Sequence, residues 1–149
     1  MDGRSIAFID ECHFCKHGTR IRTWHPPEER DPIVLQEPNG KGISVFGAVN
    51  IGGGRLLTRF TDKYNAMAFL EFLCIVHKRF PNSVIVLGNA LCHHAGIVMD
   101  CAFLTDIDLL FMYPYSPELS PIGRVWKLAK THATHNRYFQ QLNDLRSAL

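Results

Sequence analysis

The apolar positions of the chain fall into short runs near the N-terminus and longer periodic stretches further on. Ser5–Asp10 (SIAFID) is a short apolar run ending in an acid, and short runs of this kind read as strands. HFCKHGTRIRTW has strand-like content interrupted at Gly18. GISVFGAVNIGGGRLLTRF reads as two strands joined through Gly52-Gly53-Gly54, a hairpin signal between apolar runs. Asn65 to Phe80 predicts a helix, with Asn65 as N-cap, Lys78 and Arg79 in the last turn and Pro81 after it. Its apolar residues run nearly all the way round, which predicts deep burial.

Ser83 to Leu87 (SVIVL) reads as a buried strand, followed by a helix from about His94 to Leu104 and a strand from Asp108 to Tyr113. PYSPELSP is a proline-rich turn, and Pro121 suits the first turn of a helix running to about His135. A last helical piece covers about Tyr138 to Ala148, with Phe139, Leu142 and Leu145 at helical spacing. The Pro- and charge-rich stretch His25 to Asn39 reads as a loop or short hairpin excursion. The order is antiparallel strands first, then parallel strands through helical crossovers. It predicts an α/β fold with a mixed five-stranded sheet covered by helices on both faces.

Composition narrows the class. The 149 residues suffice for one domain with a real core. No apolar run approaches the roughly 18 residues of a membrane span, and the N-terminus enters a strand pattern with no signal peptide. Five cysteines, an odd number with no disulfide framework, point to a reducing, intracellular compartment. A net charge of +2 is too small to argue for nucleic acid by itself. Its distribution says more: Phe80 to Gly123 contains no Lys or Arg, whereas Arg124, Lys127, Lys130 and Arg137 follow with His132, His135 and no acid. That block is either a solvated helix face or, through Arg124, Lys127 and Lys130 at three-residue spacing, a track for phosphates.

Candidate chemistry gathers around strand ends, where open α/β sheets place their sites. Asp10 ends the first strand, while Ser83–Leu87 ends in Gly88, which brings no side chain. The pieces FIDECHF, SVFGAV, VIVLGNALCHH and MYPYSPELSPIGRVW resemble the catalytic domain of mariner-type insertion-sequence transposases. These belong to the DDE superfamily of endonucleases, with a ribonuclease H-like fold. The resemblance runs over nearly the whole chain, and its most specific piece is PYSP-x-L-x-P-I followed by Val125-Trp126.

The resemblance implies metal-dependent DNA strand cleavage and transfer by three carboxylates with Mg²⁺ or Mn²⁺. It puts the first acid at Asp10, the second at the position held by Gly88 and the third at that held by Gly123. Between Gly88 and Gly123 lie 34 residues, a spacing typical of the family. Two of the three acids are therefore missing. Two Mg²⁺ ions about 4 Å apart need several oxygen ligands to activate the nucleophile and stabilise the leaving oxygen. One carboxylate offers at most two oxygens, so the chain is expected to be inactive or severely impaired. The glycines are read as natural decay, as deliberate inactivation, or as turn residues of an unrelated fold.

No nearby group replaces the missing acids. Glu11 neighbours Asp10 on a strand and points to the other face; Glu118 falls in the turn before the helix; Asp106 and Asp108 precede their strand, at the opposite sheet edge. His93 and His94 lie close by, but imidazole suits zinc or manganese better than magnesium. Cys12, His13, Cys15 and His17 form a Cys-x₂-Cys with interleaved histidines, either a zinc site completed by Cys92, His93 and His94 or strand residues alternating between core and solvent. The chain begins nine residues before Asp10. The family's upstream helix-turn-helix modules are thus expected to be absent, leaving weak, sequence-independent DNA binding. A homodimer and a non-catalytic nucleic-acid-binding or protein-interaction module are the other expectations. The compartment is expected to be cytoplasm or nucleoid in a prokaryote and nucleus in a eukaryote.

Overall fold

The computed structural model describes residues 3–22, 24, 26, 40–114 and 116–149; the loop expected over His25 to Asn39 lies almost wholly outside them. Five strands form one sheet in the order β3-β2-β1-β4-β5: β1 Ser5–Cys15, β2 Gly42–Asn50, β3 Arg55–Thr61, β4 Ser83–Leu87 and β5 Leu109–Phe111. The helices are α1 Ala66–Arg79, α2 Gly96–Leu104, α3 Ile122–Ala129 and α4 Leu142–Ala148. This is the expected α/β architecture. β2 and β3 pair antiparallel, and β1–β4 and β4–β5 pair parallel.

The chain divides into two compact units, residues 1–12 with 44–125 and residues 13–43 with 126–149. In the first, the hairpin turns at Ile51–Gly54, where Gly54 takes φ +60° that side chains rarely tolerate. Asn65 caps α1 by accepting from Ala68 N at 2.8 Å, and His77, Lys78 and Arg79 close its last turn. Phe69, Phe72, Leu73 and Val76 of α1 are fully buried against Ala7, Ile9, Phe46, Ala48, Ile85 and Leu87 of the sheet, with Val98 and Ala102 from α2. Arg4 pairs with Asp108 beside the N-terminal ends of β1 and β5, which fixes Asp108 at the sheet edge expected for it.

In the second unit, Phe14 and Trp126 meet edge to face at 6.2 Å, so Trp126 serves packing. β1 does not break where the polar residues begin but runs on to Cys15, and His17 bridges Tyr138. Phe139 N donates to Lys16 O at 2.9 Å. Tyr138 and Phe139 are thus held extended, and the last helix starts at Leu142 rather than Tyr138. The helix after Pro121 is α-helical to Ala129 and then widens into a π-turn over Lys130–Thr134. Gly18 is required by close approach: a Cβ there would meet Thr134 O at 1.5 Å.

Candidate active-site cleft

β1 and β4 run parallel with Ile9 opposite Leu87, so Gly88, the first residue after β4, lies beside Asp10, which does not end β1 as expected but sits within it because the strand runs on to Cys15. Met112 N donates to Leu87 O at 2.9 Å, and Asn89 Nδ2 donates to Met112 O at 2.6 Å, fastening the segment after β5 to the segment after β4. That segment leads through a short 3₁₀ turn, Pro117–Leu119, into α3, whose second residue is Gly123. Asp10, Gly88, Asn89, Met112, Tyr113, Pro114, Ser116, Ser120 and Gly123 together line one cleft of about 450 Å³. The three positions singled out in sequence therefore converge.

Neither glycine in the cleft is there for backbone reasons. Gly88 and Gly123 both lack a positive φ, and a Cβ at either would touch nothing within 4 Å. Gly42, by contrast, would drive a Cβ to 2.3 Å from Phe14 O. The turn-glycine reading fails at positions 88 and 123, because neither backbone has a positive φ and both leave room for a Cβ.

The donor set is poor in oxygen anions. Among the described lining residues Asp10 is the single carboxylate, and Asn89 uses its amide on Met112 O and its Oδ1 on His94 Nε2 at 3.3 Å. Magnesium asks for near-octahedral oxygen coordination, and these residues do not supply a two-ion site. Glu118 lies exposed in the 3₁₀ turn and does not line the cleft. Arg124 and Lys127 are exposed on α3, while Lys130 opens the π-turn half-buried, so the three-residue spacing does not continue on a regular helix.

Glu11 and His93 form a pair that sequence reasoning did not connect. Glu11 alternates away from Asp10, as expected on a strand, and its Oε1 lies 2.5 Å from Nε2 of His93, 82 residues distant in sequence. His93 Nδ1 sits 2.8 Å from Gly88 O, and a carbonyl only accepts, so Nδ1 carries a proton. Burial pushes the His93 pKa down, but the Glu11 hydrogen bond and charge, the Gly88 carbonyl and the Asp10 charge outweigh it, and the net shift is upward from 6.5. The imidazole also packs on Phe69 at 4.3 Å between ring centroids. His94 lies elsewhere, stacked on Phe111 at 4.3 Å.

The sign of the pH effect follows. A folded-state pKa above the unfolded value stabilises the fold in full below about pH 6.5, and the contribution is lost as pH rises through the folded pKa. The urea midpoint should therefore fall from about pH 6.5 upward, and His93→Gln should flatten this part of the profile. A midpoint that rises over this window, or a fall that is unchanged in His93→Gln, would refute the assignment.

All five cysteines are free thiols. Among the described residues, Cys12, His13, Cys15 and His17 do not gather into a group of three metal donors. Cys12 is buried and His13 exposed, as alternation along β1 dictates. No helix of the described residues is long and apolar enough to cross a membrane.

A mixed sheet of this order, with acids expected on β1 and just after β4, is the arrangement of a ribonuclease H-like fold. The family model for DDE superfamily endonuclease matches residues 5–146, and the chain belongs to that family. No curated protein sequence matches it. Among solved structures it is similar to the Mos1 transposase paired-end complex with left transposon end, at TM-score 0.73 and 17% identity over 95% of this chain and 45% of that one. It is also similar to the mariner Mos1 paired-end complex with Mg (TM-score 0.69, 19% identity, 96% of this chain and 46% of that one). The catalytic core domain of BIV integrase follows at TM-score 0.59 and 14% identity, over 88% of this chain and 70% of that one. The chain spans just under half the length of the Mos1 chains it matches.

Proposed function

We propose that the chain is the catalytic-domain portion of a DDE-type transposase whose acidic set is reduced to Asp10, and that it is catalytically impaired as it stands. The observation that carries this reading is that Asp10, Gly88 and Gly123 line one cleft although packing and backbone conformation require neither glycine. The Mos1 structures with Mg and with Mn support a divalent metal as the family's cofactor. Among the described residues that line the cleft Asp10 is the single carboxylate, and binding is expected to be weak or lost. DNA is the proposed partner, on the strength of the transposon-end complexes, with Arg124, Lys127 and Lys130 as phosphate contacts. The proposed compartment is intracellular.

The test is plasmid nicking. Purified protein with Mg²⁺ or Mn²⁺ is expected to leave supercoiled DNA intact; robust nicking that disappears in Asp10→Ala would overturn the reading. A non-catalytic nucleic-acid-binding module on the same scaffold is the second reading, favoured by the exposed Arg124 and Lys127. Binding to duplex DNA that weakens steeply with salt supports it, and binding that ignores salt counts against it.

A further inference from the structure

The turn after β4 carries a second cluster of metal-binding chemistry, separate from the Asp10 cleft. His93 N donates to Ala90 O at 2.9 Å, closing a tight turn that presents Cys92 and His93 together beside Glu11 of β1. One ligand atom from each of Glu11, Cys92 and His93 lies within 4.8 Å of the others. His93 is held as metal-ligating imidazoles are held: Nδ1 is fixed on a backbone carbonyl, Gly88 O, which leaves Nε2 to face the cluster.

We propose that Glu11, Cys92 and His93 bind a zinc ion, independently of the cation chemistry of the Asp10 cleft. The donor set argues for the ion. A thiolate, an imidazole and a carboxylate suit zinc, whereas magnesium takes oxygens. Zinc lies about 2.3 Å from sulfur and about 2.0–2.2 Å from nitrogen or oxygen, so tetrahedral donors stand a little over 3 Å apart. The Glu11 carboxylate must back away from its present 2.5 Å from His93 Nε2, and the three donor atoms, now within 4.8 Å of one another, must settle at that spacing. Glu11 is partly exposed and Cys92 half-buried, so both can move. Three protein ligands leave a fourth position for water.

Binding displaces the proton shared by His93 Nε2 and Glu11 and the thiol proton of Cys92, two protons released per ion. Burial and then the Glu11 charge push the Cys92 thiol pKa up, and a dication between the two groups removes the repulsion between them. Zinc uptake should accordingly tighten with rising pH. Once bound, the ion would tie β1 at Glu11 to the β4–α2 turn, next to Asp10 and Gly88.

Cobalt(II) reports the site directly. The metal-free, reduced 149-residue chain should take up one equivalent of Co²⁺, with a thiolate-to-cobalt charge-transfer band and the strong visible bands of a four-coordinate site. Zinc should bleach both. Cys92→Ser, which leaves the His93–Glu11 pair intact, should abolish the charge-transfer band and weaken zinc binding at least about tenfold. Cys15→Ser should change nothing. Absence of the band at one equivalent overturns the proposal, as does a band that survives Cys92→Ser or one lost in Cys15→Ser.

Discussion

Gly88→Asp combined with Gly123→Glu is expected to create a response to Mn²⁺ that the parent chain lacks. Residue 88 leaves the sheet beside Asp10, and residue 123 is the second residue of α3 on the same cleft. Gly123→Glu alone should stabilise the metal-free protein by about 1 kcal/mol. It removes a glycine from a helix, worth up to about 1 kcal/mol, and places an acid in the first turn, worth about 0.3–1 kcal/mol. Gly88→Asp should work the other way, because its carboxylate and that of the neighbouring Asp10 repel. With manganese at about 100 times its dissociation constant, binding should stabilise the double variant by about 2.7 kcal/mol. In a chain of this size that corresponds to a rise in Tm of about 5–10 °C. Asp10→Asn in the double-variant background should remove the rise. If the double variant gains no more from Mn²⁺ than the parent, by melting or calorimetry, these are not the ligand positions.

Phe46→Ala should be the most damaging truncation of the core. Phe46 is fully buried and its ring meets those of Tyr64, Phe69 and Phe72 at 5.4, 5.9 and 5.5 Å, stacking on Phe72. Removing it deletes the transfer term and leaves a cavity under α1, for a loss of about 3–5 kcal/mol. Phe46→Leu, which keeps most of the volume, should cost markedly less. Urea denaturation measures both, and a loss below about 1 kcal/mol for the alanine variant would mean that the hole closes by repacking.

Elements specified by local signals were legible before the fold was known. β4 occupies Ser83–Leu87 as its apolar run predicts, and α1 carries the expected Asn65 cap and basic last turn. The glycine tripeptide lies in the β2–β3 turn. The misread elements are those set by distant partners. β1 continues to Cys15 beside β2, and Tyr138 and Phe139 are taken up by His17 and Lys16, more than 120 positions away, which no local period announces. β5 keeps three of its expected residues, and α2 starts at Gly96 rather than His94, whose ring is taken up by Phe111. Asp10, Gly88 and Gly123, which the sequence motifs singled out, line one cleft. Alternation turned Glu11 away from them, but its link to His93 depends on how a turn after β4 comes back onto β1.

The room left around Gly88 and Gly123 has a consequence for how this fold and its chemistry are coupled. Clustered carboxylates are a burden to a metal-free protein, which must hold like charges together until a cation arrives. A cleft with a single aspartate among its described residues is spared that tension. Its glycines exact a different cost, the extra freedom of the unfolded chain, worth about 0.4–1 kcal/mol at each position. A Cβ at either position meets nothing within 4 Å, so a side chain can be started there without displacing a neighbour. The scaffold can gain or lose its acids one at a time while the sheet beneath stays the same, and positions 88 and 123 are mounting points where other ligand sets, histidines included, can be installed without redesigning the core.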